Sequence, residues 1–435
     1  MNASLVAATA LLLLTAPGSA DAQDLRRRIE SGPDGIVTLS YPARPDACGY
    51  GLSVLRIGSA SGGWVYSNID GVDGNRGDTG PAIAVINRAG GAVFSIRVGI
   101  GPVPAQVRGT DLGTVPAAQA AEYFLGLAER SDGRVGRDAL LAAVLADHHD
   151  NATGLLRIAG APTLSRGLRE SALSWLGRDL AQDGAGANRA LLGALVAMAR
   201  NENEASSVRA RAVTALSRAE GAATAELTAL ARDESREVAR AALSALSRSP
   251  DPKARETLRQ AARDRSLPEA VRIEAIRGLG GRDGTPAELA FVRGLWTEES
   301  LGADTRQRIL QLVGEAGGTE NTRWLMSVVR DERQTANVRS RAIRAAEQAG
   351  VGSDELVKLY DGSADRTIRR AVLDALGRIG DKRAVERIKT IATNDTDPQL
   401  RRAAISWIAR SGDSDARAAL ADLVDRAALD VLPFQ

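Results

Sequence analysis

The side chains best suited to chemistry in this chain are two histidines, His148 and His149, one cysteine, Cys48, and 54 aspartates and glutamates. His148 and His149 stand side by side in Asp147-His148-His149-Asp150, at the expected end of a helix. Adjacent residues on a helix face different ways, and no His-Glu-x-x-His or comparable metal spacing is present. The helix dipole accounts for two imidazoles at such an end. Cys48 has no second thiol, no histidine lies near a candidate serine, and there is no Gly-x-Ser-x-Gly elbow, so no nucleophile and base are legible. Cys48 reads as a small buried apolar residue. The carboxylates are spread over turns, where capping explains them. The expectation is no catalytic residue, no metal and no cofactor. The enzymatic alternative is a lyase or hydrolase whose site is assembled from scattered carboxylates.

Arginine offers more. Basic and acidic residues number 56 and 54, a net charge of +2, so no global field draws in nucleic acid or an anionic membrane. Any electrostatic binding must come from local segregation, and almost every cation is arginine, with lysine only at Lys253, Lys358, Lys382 and Lys389. The arginines follow a nine-residue phrase. Leu168-Arg169-Glu170-Ser171-Ala172-Leu173-Ser174-Trp175-Leu176 is matched by Val208-Arg209-Ala210-Arg211-Ala212-Val213-Thr214-Ala215-Leu216. Further copies start at Val238, Val271, Thr305, Val338, Ile368 and Leu400, with a weaker one at Val135. A period near 33 residues sustained this long is an array of helical hairpins, the phrase lying on the second helix of each.

Numbering the phrase from zero, positions zero, four, five and eight fall at about 0°, 40°, 140° and 80° around a helix, one apolar stripe that must face its neighbours. Position one falls inside that stripe and is Arg169, Arg209, Arg272, Arg306, Arg339, Arg369 or Arg401 in seven copies. A guanidinium there needs a partner, because burying it alone costs several kcal/mol. The turns before the phrases repeat Asn201, Asp233, Asp264, Asp331, Asp361 and Asp395, which are the natural partners. Positions two, three and six face away and carry Arg211, Arg240, Arg277, Arg308, Arg341, Arg344, Arg370 and Arg402, against Glu170, Glu274 and Asp374. Trp175 and Trp407, at position seven, read as packing residues.

The phrase Val-Arg-x-x-Ala-[Val/Leu/Ile]-x-x-Leu behind an Asp-containing turn resembles the HEAT repeat, particularly its phycobilisome-lyase-like subclass, over about residues 130–426. The resemblance implies an α-solenoid of about nine repeats, an Asp and Arg ladder from repeat to repeat, and a second-helix face lining the concave side. That face would be net basic. Guanidinium forks bind carboxylates bidentately, so the expected ligand is a protein partner, and an acidic one suits the row best. An anionic polymer or nucleic acid is the alternative binder; export argues against nucleic acid. The subclass also includes bilin lyases, an activity out of place in an exported chain.

The remaining organisation follows from composition. An apolar run from Leu5 to Ala16, then Ala20-Asp21-Ala22, reads as an export signal cut after Ala22, with no transmembrane segment in the mature chain and a periplasmic or secreted location. Residues 23–33 read as a linker. Residues 34–110 read as a small, mainly antiparallel β domain, with strands at Ile36 to Tyr41, Leu52 to Ile57, Trp64 to Asn68, Ala82 to Asn87 and Ala92 to Ile100. Glycine clusters such as Ser61-Gly62-Gly63 and Gly71 to Asn75 are turns. The solenoid is expected over 116–428, with a tail at 429–435. An aromatic share of only 3% agrees with small-residue helix packing rather than with the core of a globular enzyme. The β domain is expected to cap the first repeat, since solenoid ends need capping.

Overall fold

A computed structural model of the protein describes residues 20–57, 64–65, 77, 79–102, 107–147, 151–183, 189–219, 221–280, 284–298 and 301–410. His148 and His149, the apolar N-terminal run, the two glycine clusters and the tail lie outside the described residues. The chain divides into two compact units, residues 1–223 and 224–435.

The first unit opens with a helix where a linker was expected: α1 (Ala20–Glu30), whose Leu25 and Ile29 are fully buried. Strands β1 (Gly35–Tyr41), β2 (Ala47–Tyr50), β3 (Ser53–Ile57), β4 (Trp64–Val65), β5 (Ala82–Ala89), β6 (Ala92–Ile100) and β7 (Thr110–Thr114) follow. Four form a sheet in the order β6-β5-β1-β7, and β2-β3-β4 form a second one. Every pairing is antiparallel except β1 with β7, which is parallel and lies beyond the predicted end of the β domain. Alternation in Val37-Thr38-Leu39-Ser40-Tyr41 does not give one wet face. Val37, Thr38 and Leu39 are all buried, because the strand is central in its sheet.

The first unit continues as three hairpins: α2 (Ala117–Glu129) with α3 (Gly133–Leu145), α4 (Asn151–Gly160) with α5 (Arg166–Asp183), and α6 (Arg189–Arg200) with α7 (Ser206–Leu216). The sheet does not form a separate domain. The Tyr41 ring meets Phe124 of α2 at 6.0 Å, and its hydroxyl donates to the Ala142 carbonyl of α3 at 2.8 Å. Main-chain bonds from Arg44 to Leu145 (2.9 Å) and from Asp147 to Pro42 (3.0 Å) join the chain after β1 to the end of α3. Buried Arg88 of β5 donates to the carbonyls of Glu30, Gly32 and Pro33, closing the C-terminal end of α1 with a positive charge.

The described residues of the second unit hold six hairpins. They are α8 (Thr224–Leu230) with α9 (Arg236–Leu246), α10 (Pro252–Arg263) with α11 (Glu269–Leu279), and α12 (Pro286–Gly294), continued by a 3₁₀ turn at Leu295–Thr297, with α13 (Ala303–Ala316). The other three are α14 (Thr319–Arg330) with α15 (Ala336–Gln348), α16 (Ser353–Gly362) with α17 (Arg366–Ile379), and α18 (Lys382–Asn394) with α19 (Pro398–Arg410). Each of the nine phrases lies on a second helix, α3 to α19 by odd numbers. Positions zero, four, five and eight are buried in every copy except at Val135, Val338 and Ile405. Local sequence sets the helix starts. Asp251, Asp365 and Asp381 accept main-chain N–H groups at the starts of α10, α17 and α18, and Thr285 and Glu288 form a capping box on α12.

Within each unit second helices stack on second helices, and in several of these contacts phrase position nine is glycine. Where position nine is glycine, the neighbouring second helix approaches closely: a Cβ on Gly177 would lie 2.9 Å from the Ala215 Cα, one on Gly314 would lie 2.9 Å from the Ala345 carbonyl oxygen, and one on Gly377 would lie 2.5 Å from the Trp407 ring. In each pair the partner is position seven of the next phrase. Gly314→Val forces α13 and α15 apart at a backbone contact that no rotamer change relieves, so an overpacking cost of about 1–3 kcal/mol is expected. Chemical denaturation of the variant checks this through a lower midpoint; an unchanged midpoint would show that the stack yields freely.

Candidate interaction face on the second helices

The inward arginine at phrase position one is held first by main chain. The Nε of Arg169 donates to the Ala159 carbonyl at 2.8 Å, that of Arg209 to Ala199 at 2.9 Å, that of Arg272 to Ala262 at 3.3 Å and that of Arg339 to Val329 at 2.7 Å. Each acceptor lies ten residues back, at the penultimate position of the first helix of the same hairpin. The guanidinium therefore caps that helix, taking a carbonyl that has no intrahelical donor and placing positive charge at the negative end of the dipole. Arg169, Arg209 and Arg272 are buried.

The ladder to the turn acids is selective. Arg169 forms a two-pronged pair with Glu204 of the following turn, a residue the sequence reading did not single out. Arg369 pairs with Asp395 of the following turn, and Tyr360 joins them, its hydroxyl donating to Asp395 at 2.6 Å while Arg369 and Arg387 stack on its ring. Arg401 donates to the main-chain oxygen of Asp395 at 2.6 Å, and Arg306 stacks over Trp296. The recurrent turn residue does something else first. One oxygen of Asp233, Asp264, Asp331 or Asp395 accepts the N–H two residues on, an Asx turn that bends the chain between the two helices. The other oxygen of Asp264 faces Arg232, and Asp331 is bonded by Arg333 and Gln334, which hold its carboxyl down at about 2. Asp361 is not a turn residue: it lies in the last turn of α16 and pairs with Arg387.

The outward row is interrupted by its own acids. Glu274 is buried on α11 and takes both Arg240 (3.3 Å) and Arg277 (3.6 Å). Asp374 takes Arg370 at 3.2 Å and also accepts from the Trp407 indole at 3.0 Å. Glu170 accepts from Ser207 at 2.7 Å. Trp175 is buried under Arg178. Arg211 on α7 is exposed. Exposed Arg402 on α19 bonds the Pro398 carbonyl at 3.2 Å. Three arginines of the outward row with no carboxylate pair among the described residues sit together on α13 and α15: Arg308, bonded to Gln311, Arg341, bonded to Gln307, and exposed Arg344. Of the outward arginines read from sequence, Arg240, Arg277 and Arg370 are thus paired with acids, and Arg308, Arg341 and Arg344 form a patch. Its neutral amide partners orient the guanidinium forks without cancelling their charge. No group of three or more His, Cys, Asp or Glu side chains placed to hold a metal occurs among the described residues.

Comparison with known proteins follows the helical part. The HEAT-repeat family matches residues 224–303 and 353–432. Among solved structures, human deoxyhypusine hydroxylase in complex with glycerol is 16% identical over 59% of this chain and 94% of its own, with a TM-score of 0.26. The complex of CpcE and CpcF of phycocyanin lyase from Nostoc is 20% identical over 63% of this chain and 94% of its own, with a TM-score of 0.24. Importin beta is 14% identical over 68% of this chain and 45% of its own, with a TM-score of 0.43. No curated protein matches the chain. The helical hairpins within residues 224–303 and 353–432 match HEAT repeats, and the fold is an α-solenoid preceded by a small sheet region.

Proposed function

We propose that the chain is a non-enzymatic protein-interaction scaffold of the bacterial cell envelope that binds an acidic partner on its second-helix face. The observation that carries the reading is the patch of Arg308, Arg341 and Arg344, three cations on adjacent second helices with no carboxylate among the described residues. The repeat fold supports it too, because stacked hairpins offer an extended surface rather than an enclosed pocket. Exposed guanidinium forks held by glutamines can take carboxylates two at a time. Export rests on the apolar run before Ala20-Asp21-Ala22. No helix among the described residues is long and apolar enough to cross a membrane.

Crosslinking in whole cells, comparing the native chain with Arg308→Glu/Arg341→Glu/Arg344→Glu, tests the face. A partner captured by the native chain is expected to be lost from the variant while circular dichroism shows the helices intact. The same partners at the same yield on a folded variant would discard the patch.

A further inference from the structure

Of the seven inward arginines, Arg306 alone has a side chain with no hydrogen bond or ion pair among the described residues. Its Nε is buried and unpartnered, and the guanidinium rests on the Trp296 ring. The residue ten back is Trp296 itself, but α12 has ended at Gly294 and the chain passes through Trp296 in a 3₁₀ turn. The bond that ties Arg169, Arg209, Arg272 and Arg339 to their first helices is missing here. Among the described residues, α12 also packs on α13 more lightly than any other first helix packs on its second helix.

The step from α11 to α13 is loosened too. A Cβ on Gly280 would meet the Leu312 side chain at 3.1 Å, whereas one on Gly314 would meet the Ala345 main chain at 2.9 Å. A contact made through a leucine adjusts by side-chain rotation, and one made main chain to main chain does not. Phrase position zero of α13 is Thr305, a polar residue where every other copy has valine, leucine or isoleucine. Among the described residues, the hydrogen bonds between α11 and α13 all come from one side chain. α13 starts at Gly302, which has no side chain to cap it, and Glu269 of α11 caps it from the preceding repeat. The Glu269 carboxylate accepts the Thr305 N–H at 3.2 Å and the Thr305 hydroxyl at 2.8 Å. It lies so close to Gly302 that a Cβ there would collide with it.

We propose that the step between α11 and α13 is a hinge of the second unit, with Glu269 as its latch on Thr305. Arg308, Arg341 and Arg344 lie beyond the hinge on α13 and α15, which the backbone contact of Gly314 with Ala345 holds together. The hinge therefore turns the patch as one piece against α9 and α11. The proposal stands whether or not the patch binds a protein.

Pulsed electron paramagnetic resonance on the full chain tests it. Nitroxide labels on Arg248→Cys and Gln348→Cys span α9 to α15 across the step; labels on Glu315→Cys and Arg410→Cys span as many helices, α13 to α19, without crossing it. All four positions are exposed, and native Cys48 is buried away from the label. Glu269→Ala is expected to broaden the distance distribution of the first pair and to leave the second unchanged. Gly302→Ser, added to Glu269→Ala, gives α13 a cap of its own with no link to α11, so the broadening is expected to persist. Glu269→Ala that broadens neither pair, or both alike, would overturn the hinge. So would a return to the native width on adding Gly302→Ser, which would make Glu269 a helix cap and nothing more.

Discussion

A chain that begins at residue 116 is expected to aggregate or to lose α2 and α3, although all nine hairpins remain encoded in it. α3 is apolar on nearly every side: Ala139, Leu140, Ala142, Ala143, Val144 and Leu145 are all buried. A helix of that kind needs cover all round, and α2 and α5 cover only part of it. β6 packs on the rest, and Tyr41 fills the space between β1, Phe124 and the Ala142 carbonyl. α1 adds the fully buried Leu25 and Ile29 beside α2. Each large side chain uncovered by the deletion forfeits about 1.5–3 kcal/mol of burial, and several are lost together, against a total stability of about 5–15 kcal/mol for a domain. Size-exclusion chromatography and hydrogen exchange over α2 and α3 read the outcome. A monomeric truncated chain with native protection in both helices would show that the sheet does not cap the array.

The helical part was legible because one phrase, repeated nine times, carries both its period and its buried stripe. Apolar periodicity reports which way a residue faces, and positions zero, four, five and eight of α9, α11 and α17 are buried as it requires, although Glu274, at an outward position of α11, is buried too. Partners were harder to read than positions. Arg169, Arg209, Arg272 and Arg339 first meet a main-chain carbonyl, which has no residue identity and leaves no mark in a sequence except a constant ten-residue spacing. Asp361 matches the turn acids both in type and in its seven-residue distance to the phrase, but α16 runs on through Gly362 and leaves the bend to Ser363. α1 was missed because its sequence, Ala-Asp-Ala-Gln-Asp-Leu-Arg-Arg-Arg-Ile-Glu, shows only two apolar anchors of size, and tertiary burial of those two decides the matter. The partners within the outward row were hidden for a related reason: counting charges by face does not show that Glu274, once buried, is shared by Arg240 and Arg277 from adjacent second helices.

Arg169→Ala is expected to be the most damaging single substitution in the first unit. Arg169 is buried at 5% exposure, and its loss leaves the Ala159 carbonyl uncapped and the Glu204 carboxylate without its cation. Removing one member of a buried pair costs about 3–5 kcal/mol, because the other is left charged in a poor solvent. For a unit of this size that is a fall of roughly 6–20 °C in the thermal midpoint. The hydrogen bond from Arg169 holds the Glu204 carboxyl below the usual carboxylate range. A carboxyl depressed in the folded state adds stability that is fully present above its unfolded value of about 4.3 and is lost as pH falls through the folded value. The native chain should therefore lose part of the first unit's stability on acidification below about pH 4. Glu204→Gln, which cannot ionise, should be less stable at pH 7 and should flatten that part of the profile. In an Arg169→Met background Glu204→Gln should cost little, since the interaction that gave the carboxylate its value has gone. Thermal melts of the four chains between pH 3 and 7 measure both effects, and equal costs of Glu204→Gln in the two backgrounds would mean that the pair is not the rung that joins these repeats.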